Sequence, residues 1–393
     1  MVKKGSYIEY SSKAVFEPQQ IFSGSGASEG LPSELKSGGA RRILIICPRA
    51  ILRYKAYENL TSKITSEGMR FFVFEKEDTL LLQSEAEACA KMFREYNCDT
   101  IITIGGTSAI DCGKLAIALG GSNDLKDATE LAGDGKVRKG KGKLVCIVTD
   151  AGASAATPFA EFMSASSKWL MVRSSLIVPH VVVIDTDLSV RTDHNKALDS
   201  ALTAFCEAIE AYISPVSSCN PLYRANAINA CVTIYSNIPS IKASQEDAYL
   251  RYKLTAGGLC AGLSLRMTGI GYSHIAVHAM LERYGDIHGA VYLRILRCLL
   301  EAESDLLYRD LADLARHLSI CTKNADDRSA AQTFIDALDI MCRKYSENVS
   351  MPSIGKADAL EIAEEVKRAA GVYDLYRLDS KAFADMLLAA AGV

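Results

Sequence analysis

Asp99-Thr-Ile-Ile-Thr-Ile-Gly-Gly-Thr-Ser-Ala-Ile-Asp-Cys-Gly-Lys114 runs from an apolar stretch through two glycines into a helical pattern. A run of β-formers without polar alternation reads as a strand buried on both faces, the condition of a parallel sheet covered by helices. Gly105 and Gly106 let the backbone turn tightly and come close to a ligand. The helix that follows presents unpaired N–H groups and the positive end of its dipole, a seat for a phosphate. Gly105, Gly106, Thr107, Ser108 and Asp111 are therefore candidate cofactor contacts. A plain strand-to-helix turn capped by Ser108 accounts for the same residues.

Outward from this segment the first half repeats the pattern. Arg42–Cys47 (RILIIC), Phe71–Phe74 (FFVF), 143–149 (KLVCIVT) and 180–185 (HVVVID) are further strands, with helical stretches around 82–96 and 107–119. Alternating strands and helices predict a Rossmann-like parallel sheet of α/β class. The character changes at about Asp187. From Asn195 the chain reads as helices at 195–213, 222–237, 245–264, 271–283, 288–303, 306–317, 328–346, 357–369 and 380–391. Residues 1–188 are expected to form an α/β nucleotide-binding domain and 189–393 an all-helical domain, with the ligand cleft between them.

Composition excludes several classes of function. With 49% apolar and 23% charged residues and a net charge of −3, the chain carries no basic footprint for nucleic acid. No apolar run reaches the ~18–20 residues of a membrane span. The basic run Lys136–Lys143 is short and Gly-spaced, as in a solvated loop. Met1–Lys13 has no apolar core and does not read as a signal peptide. Twelve cysteines lie scattered without a C-x-x-C pair, pointing to reduced, buried thiols and a cytoplasmic protein.

Chemistry concentrates in the second half. Three of six histidines fall within His274-Ile-Ala-Val-His278 and His288. Positions four apart share a helix face, so His274 and His278 point into one volume, and a break at Gly285-Asp286 lets His288 return to it. Clustered imidazoles suit a divalent metal, a proton donor, or both. Thr203 and Glu207 lie four apart on another helix, with Glu210 a turn on and Asp199 a turn before as a spare ligand. The small-residue loop Thr149-Asp150-Ala-Gly-Ala-Ser-Ala-Ala-Thr157 suits either a pyrophosphate or a packed neighbour, and Thr149 and Asp150 are its candidate contacts.

Taken in order, these motifs resemble the iron-containing (group III) alcohol dehydrogenase superfamily, over most of the chain. The opening Phe16–Gly26 is similar to that family's first strand and glycine turn. Gly105–Lys114 resembles GGGSxxDxxK, and Thr149–Thr157 a PTTAGTGSE loop. Pro179–Asp185, Glu207–Tyr212 and the HxxxH…HG element at Gly271–Gly289 complete the set. The resemblance implies a dehydroquinate synthase-like fold, NAD(P) in the first domain, and Fe²⁺ or Zn²⁺ in the second. That metal would serve as a Lewis acid while hydride passes between a nicotinamide and an alcohol or carbonyl substrate. It also implies His274 and His288 as metal ligands, His278 as a proton-handling or nicotinamide-contacting residue, and a homodimer or higher homo-oligomer.

The sequence departs from the family where two further ligands are expected. The Asp and His of DALxHAIEAY are here Thr203 and Glu207. Either Glu207, His274 and His288 form a three-ligand site with Thr203 as a weak neighbour, or the metal is lost and a histidine acts directly as an acid. A Glu-His-His set also suits a lyase resembling dehydroquinate synthase, and so many changes suit a non-catalytic relative that only binds. In Ile45-Ile-Cys-Pro48-Arg49, Pro48 stands where NAD-preferring members carry Asp, and Arg49 adds a cation. The expectation is NADP(H) over NAD(H).

Overall fold

The computed structural model describes residues 20–77, 80–121, 127–140, 142–189, 192–218, 220–243, 247–285, 289–345, 351–370 and 378–392. Candidate ligand His288 and the residues Phe16–Gln19 of the opening motif lie outside the described residues. The strands are β1 Gln20–Gly24, β2 Arg42–Cys47, β3 Arg70–Glu75, β4 Thr100–Gly105, β5 Gly133–Asp134, β6 Lys143–Val148, β7 Phe159–Met163, β8 Trp169–Arg173 and β9 Val181–Asp185. Between them run helices α1 Leu31–Ser37, α2 Lys55–Ser66, α3 Gln83–Glu95 and α4 Thr107–Gly120. After β9 come α5 Thr186–Ser189, α6 His194–Ile213, α7 Pro215–Ser218, α8 Pro221–Asn237, α9 Ala248–Thr268 and α10 Tyr272–Tyr284. The chain ends with α11 Gly289–Ala302, α12 Ser304–His317, α13 Asp327–Tyr345, α14 Lys356–Ala370 and α15 Ser380–Ala391.

Six strands form a parallel sheet in the order β1-β9-β6-β4-β2-β3. Its continuous apolar strands divide by alternation between two cores. Leu44, Ile46, Ile101, Leu144 and Val182 face α3 and α4, while Ile43, Ile45, Ile102, Val145 and Val183 face α1 and α2. From β2 the chain first moves outward to β3 and then returns to the other side as β4. That reversal opens a crevice beyond the carboxyl ends of β2 and β4, where ligands of such sheets bind. Pro48 follows β2 and Gly105-Gly106 end β4, and the two meet there: a methyl on Gly105 would lie 3.6 Å from Pro48 Cδ.

The nine long helices expected after Asn195 are present, with ends displaced by a few residues. What the sequence did not disclose is a second sheet, β5-β8-β7, between β4 and β9. Its strands are only two to five residues long, β5 exposed and β7 and β8 partly buried, too short to show a period.

The sheet half and the helical half interlock through α9. A Cβ on Gly258 would meet Ala151 O at 2.0 Å, and one on Gly262 would meet Ala153 O at 2.1 Å. The loop 151–156 is buried against this helix. Its small residues therefore serve close packing, one of the two readings open from sequence.

Candidate active site

Helix α6 starts at Asp193, whose carboxylate accepts from the N–H groups of Asn195 and Lys196. Its inner face carries Asp199, Thr203 and Glu207 at intervals of four, so all three face one side. Asp199 accepts a hydrogen bond from Gly289 N at the start of α11. Thr203 packs against the same point: a methyl on Gly289 would lie 2.9 Å from Thr203 Oγ1. Glu210 faces the start of α10, accepting from Ser273 N at 2.8 Å and from Tyr292 Oη at 2.6 Å. Asp199 and Glu210 thus satisfy helix N-termini, the usual partners for carboxylates near a positive dipole end.

Held by Glu210, α10 presents His274 and His278 with ring centroids 4.6 Å apart. Opposite them β7 supplies Glu161, a residue the sequence reading missed. Its Oε2 lies 3.4 Å from His278 Nε2 and its Oε1 3.8 Å from His274 Nε2. On the other side of His274, Nδ1 is 3.5 Å from Glu207 Oε1. Trp169 of β8 stacks on His278 at 3.7 Å, and its backbone N–H is fixed by Glu282 of α10 at 2.7 Å. The available signal was one carboxylate inside Pro158-Phe-Ala-Glu-Phe-Met163, where a surface charge would interrupt the apolar strand.

Burial dominates the electrostatics. It pushes the carboxyl of Glu207 up to about 8, with the Glu210 charge adding, and raises Glu161 well above the usual carboxylate range. It lowers His274 to about 4 and His278 well below the usual imidazole range. His274 Nδ1 and both nitrogens of His278 are buried without a hydrogen-bond partner among the described residues. Buried polar atoms are normally satisfied, so three open imidazole nitrogens beside two carboxyl groups mark a place for a ligand. Imidazole and carboxylate donors converging in this way fit a divalent ion such as Zn²⁺ or Fe²⁺. Thr203 adds only a hydroxyl, a poor donor to such an ion.

Glu161 is itself held from behind. Asp111 Oδ2 accepts from Glu161 N at 3.0 Å, and Asp111 Oδ1 accepts from Ser154 Oγ. Lys114, fully buried, lies 3.6 Å from Asp111 and donates to Ser154 O, Thr157 Oγ1 and Phe159 O. Asp111 and Lys114, part of the glycine-loop motif, thus join α4 to β7.

At the cofactor end, the N-cap of α4 is Gly106, which has no side chain to cap the helix, and Ser108 Oγ is buried without a partner among the described residues. Ser108 is therefore not the cap. The first turn of α4 carries the positive end of the helix dipole. Asp150 sits against it: a Cβ on Gly106 would meet Asp150 Oδ2 at 2.1 Å, and Asp150 Oδ1 accepts from Gly152 N at 2.8 Å. Thr149 is buried at the end of β6, its carbonyl accepting from Thr192 Oγ1 at 2.8 Å. Arg49 is exposed and lies 3.8 Å from Glu75.

A cleft of about 520 Å³ joins the two ends. Thr107, Ser108, Asp111 and Asp150 line one end; Glu161, Thr203, Glu207, His274 and His278 line the other. Gly105, Gly106, Thr149, Pro48 and Arg49 do not line it, and Pro48 lies against Gly105 at the end of β4.

Comparison with known proteins gives the family and the fold. The model of the iron-containing alcohol dehydrogenases matches residues 18–186, and that of the family's C-terminal region matches 197–377. The chain is 26% identical over 340 residues to an NAD-dependent methanol dehydrogenase of Bacillus methanolicus, covering 86% of this chain and 87% of that one. It is 24% identical over 340 residues to a 1,3-propanediol dehydrogenase of Citrobacter freundii, covering 85% and 86%. Among solved structures, an alcohol dehydrogenase from Oenococcus oeni superposes with a TM-score of 0.87 at 22% identity, over 95% of this chain and 98% of that one. The chain belongs to the iron-containing alcohol dehydrogenase family.

Proposed function

We propose that the chain is a nicotinamide-dependent alcohol dehydrogenase or aldehyde reductase acting on a small alcohol or carbonyl substrate in the 520 Å³ cleft. The observation that carries this reading is the continuity of the cleft from the start of α4 to the His274 cluster. The relatives' names add support, since several are alcohol or diol dehydrogenases.

The N–H groups of Thr107 and Ser108 hold the cofactor pyrophosphate, with the Ser108 hydroxyl beside them and Gly105-Gly106 giving the backbone room. A nicotinamide bound there supplies or accepts hydride, and a divalent metal held around His274 supplies Lewis acidity to the substrate oxygen. Tyr292 and Trp169 wall this end of the cleft and exclude water. The boundary near residue 188 then separates a cofactor half from a half that carries the histidines. We assign NADP(H) over NAD(H), because Pro48 removes a carboxylate from the ribose side and exposed Arg49 offers a cation to a 2′-phosphate.

The test is an aldehyde panel with NADPH or NADH, with and without Zn²⁺ or Fe²⁺, beside fluorescence titration of both nucleotides. The expected result is metal-dependent aldehyde reduction, with NADPH bound more tightly and Arg49→Ala weakening NADPH alone. Tighter NADH binding overturns the cofactor assignment. Absence of both turnover and nucleotide binding overturns the enzyme reading in favour of a binding protein.

A further inference from the structure

We infer that Glu161, His274 and His278 form a divalent metal site on the β7 side of the cleft, with Glu207 as the outer carboxylate that orients His274. Three observations carry this. First, the donor atoms of the three residues all lie within 4.8 Å of one another. Four donors at about 2.1 Å from a tetrahedral Zn²⁺ are roughly 3.4 Å apart, close to the 3.4 and 3.8 Å separating Glu161 from the two Nε2 atoms. Second, His278 Nε2, the nitrogen that faces Glu161, is buried with no hydrogen-bond partner among the described residues and is open to an ion. Third, Glu207 faces the opposite nitrogen of His274, at 3.5 Å from Nδ1. The two nitrogens of one imidazole cannot face a single ion, so an ion on the Nε2 side leaves Nδ1–H to a carboxylate. This is the common outer-shell arrangement of metal-bound histidines.

The rest of the structure fixes these donors. His274 and His278 share a face of α10, whose first turn is tied to Glu210. The Glu161 backbone is tied to Asp111. On the α6 side, by contrast, Asp199 is engaged by Gly289 N and Thr203 offers only a hydroxyl. The inference concerns metal binding alone, so it can stand or fall apart from the proposed redox activity.

Trp169 is the one tryptophan of the chain and stacks on His278, so its fluorescence reports the site without substrate. Chelator-stripped protein is titrated with Zn²⁺ by calorimetry and with Co²⁺ by Trp169 quenching and visible absorption. Wild type is expected to bind one ion, with strong Co²⁺ quenching and a tetrahedral cobalt spectrum. Glu161→Gln and His278→Gln should each abolish both signals. Glu207→Gln should keep the quenching while weakening affinity by about 10- to 100-fold. Circular dichroism and melting temperature establish that each variant is folded, and since Glu161 and His278 lie on different elements, either folded variant suffices. No ion bound by the wild type overturns the site. So does unchanged affinity in a folded Glu161 or His278 variant, or loss of binding in Glu207→Gln alone. Metal binding as expected without turnover on any aldehyde would leave the site standing and overturn the proposed function.

Discussion

Gly271→Ala should change sign according to what occupies position 210. Gly271 caps α10 in an extended conformation, φ −89° and ψ −179°, which alanine also adopts. Alanine there should by itself stabilise by about 0.4–1 kcal/mol through the unfolded chain. Its Cβ, however, would sit 2.3 Å from Glu210 Cδ and 2.5 Å from both carboxylate oxygens. Overpacking of this kind costs about 1–3 kcal/mol, so Gly271→Ala should destabilise the otherwise native protein. Glu210→Ala removes the clashing atoms but leaves Ser273 N–H and Tyr292 O–H unsatisfied, about 1–3 kcal/mol each. In that background Gly271→Ala should cost nothing or stabilise, a coupling of roughly 1–3 kcal/mol. In Glu210→Gln, which has the same shape as the native residue, the cost should return. Urea midpoints of the six combinations, followed by Trp169 fluorescence and helical circular dichroism, give the comparison. Equal cost of Gly271→Ala in the Ala and Glu backgrounds would refute the packing argument.

Three more perturbations test the surrounding network. Asp111→Asn strands the buried Lys114 ammonium and should cost about 3–5 kcal/mol by urea unfolding. Combined with Lys114→Met the two should cost less than their sum; strict additivity would show that the pair is not coupled. Asp150→Asn removes a negative charge beside the phosphate seat and should tighten NADPH by roughly fivefold, about 1 kcal/mol. Weaker binding in that titration would mean that Asp150 holds the nucleotide. Burial pushes the thiols of Cys47, Cys146 and Cys342 up to about 12 from an ordinary 9.0. Above pH 9 the unfolded chain therefore loses thiol protons that the folded chain keeps, and stability should fall as pH rises from 9 to 12. For Cys146 alone the loss is about 2–3 kcal/mol by pH 11. A Cys146→Ala variant with the same alkaline slope would contradict this.

The four inner strands of the sheet, β2, β4, β6 and β9, were legible because they are buried on both faces and so appear as unbroken apolar runs, Ile101–Ile104 above all. The helices were legible through their period, and the glycine pairs through the turns they permit. Harder to read was what each polar residue faces. Asp199 and Glu210 have the composition of ligands but satisfy the starts of α11 and α10, a relation between elements distant in sequence. Glu161 and Trp169 lie on two short strands whose pairing brings them opposite α10. Nothing in a local window connects residue 161 with residues 274 and 278. The small residues at 151–156 acquire their meaning only from Gly258 and Gly262, about a hundred positions away.

Hydride transfer itself is the most direct test of the proposed function. Protein loaded with Zn²⁺ or Fe²⁺ is given NADPH deuterated at the transferable position of the nicotinamide, together with a panel of small aldehydes, and the alcohols are examined by mass spectrometry. The proposal predicts one deuterium on the carbinol carbon of at least one product. Bound nucleotide and bound metal with no label in any alcohol would contradict it.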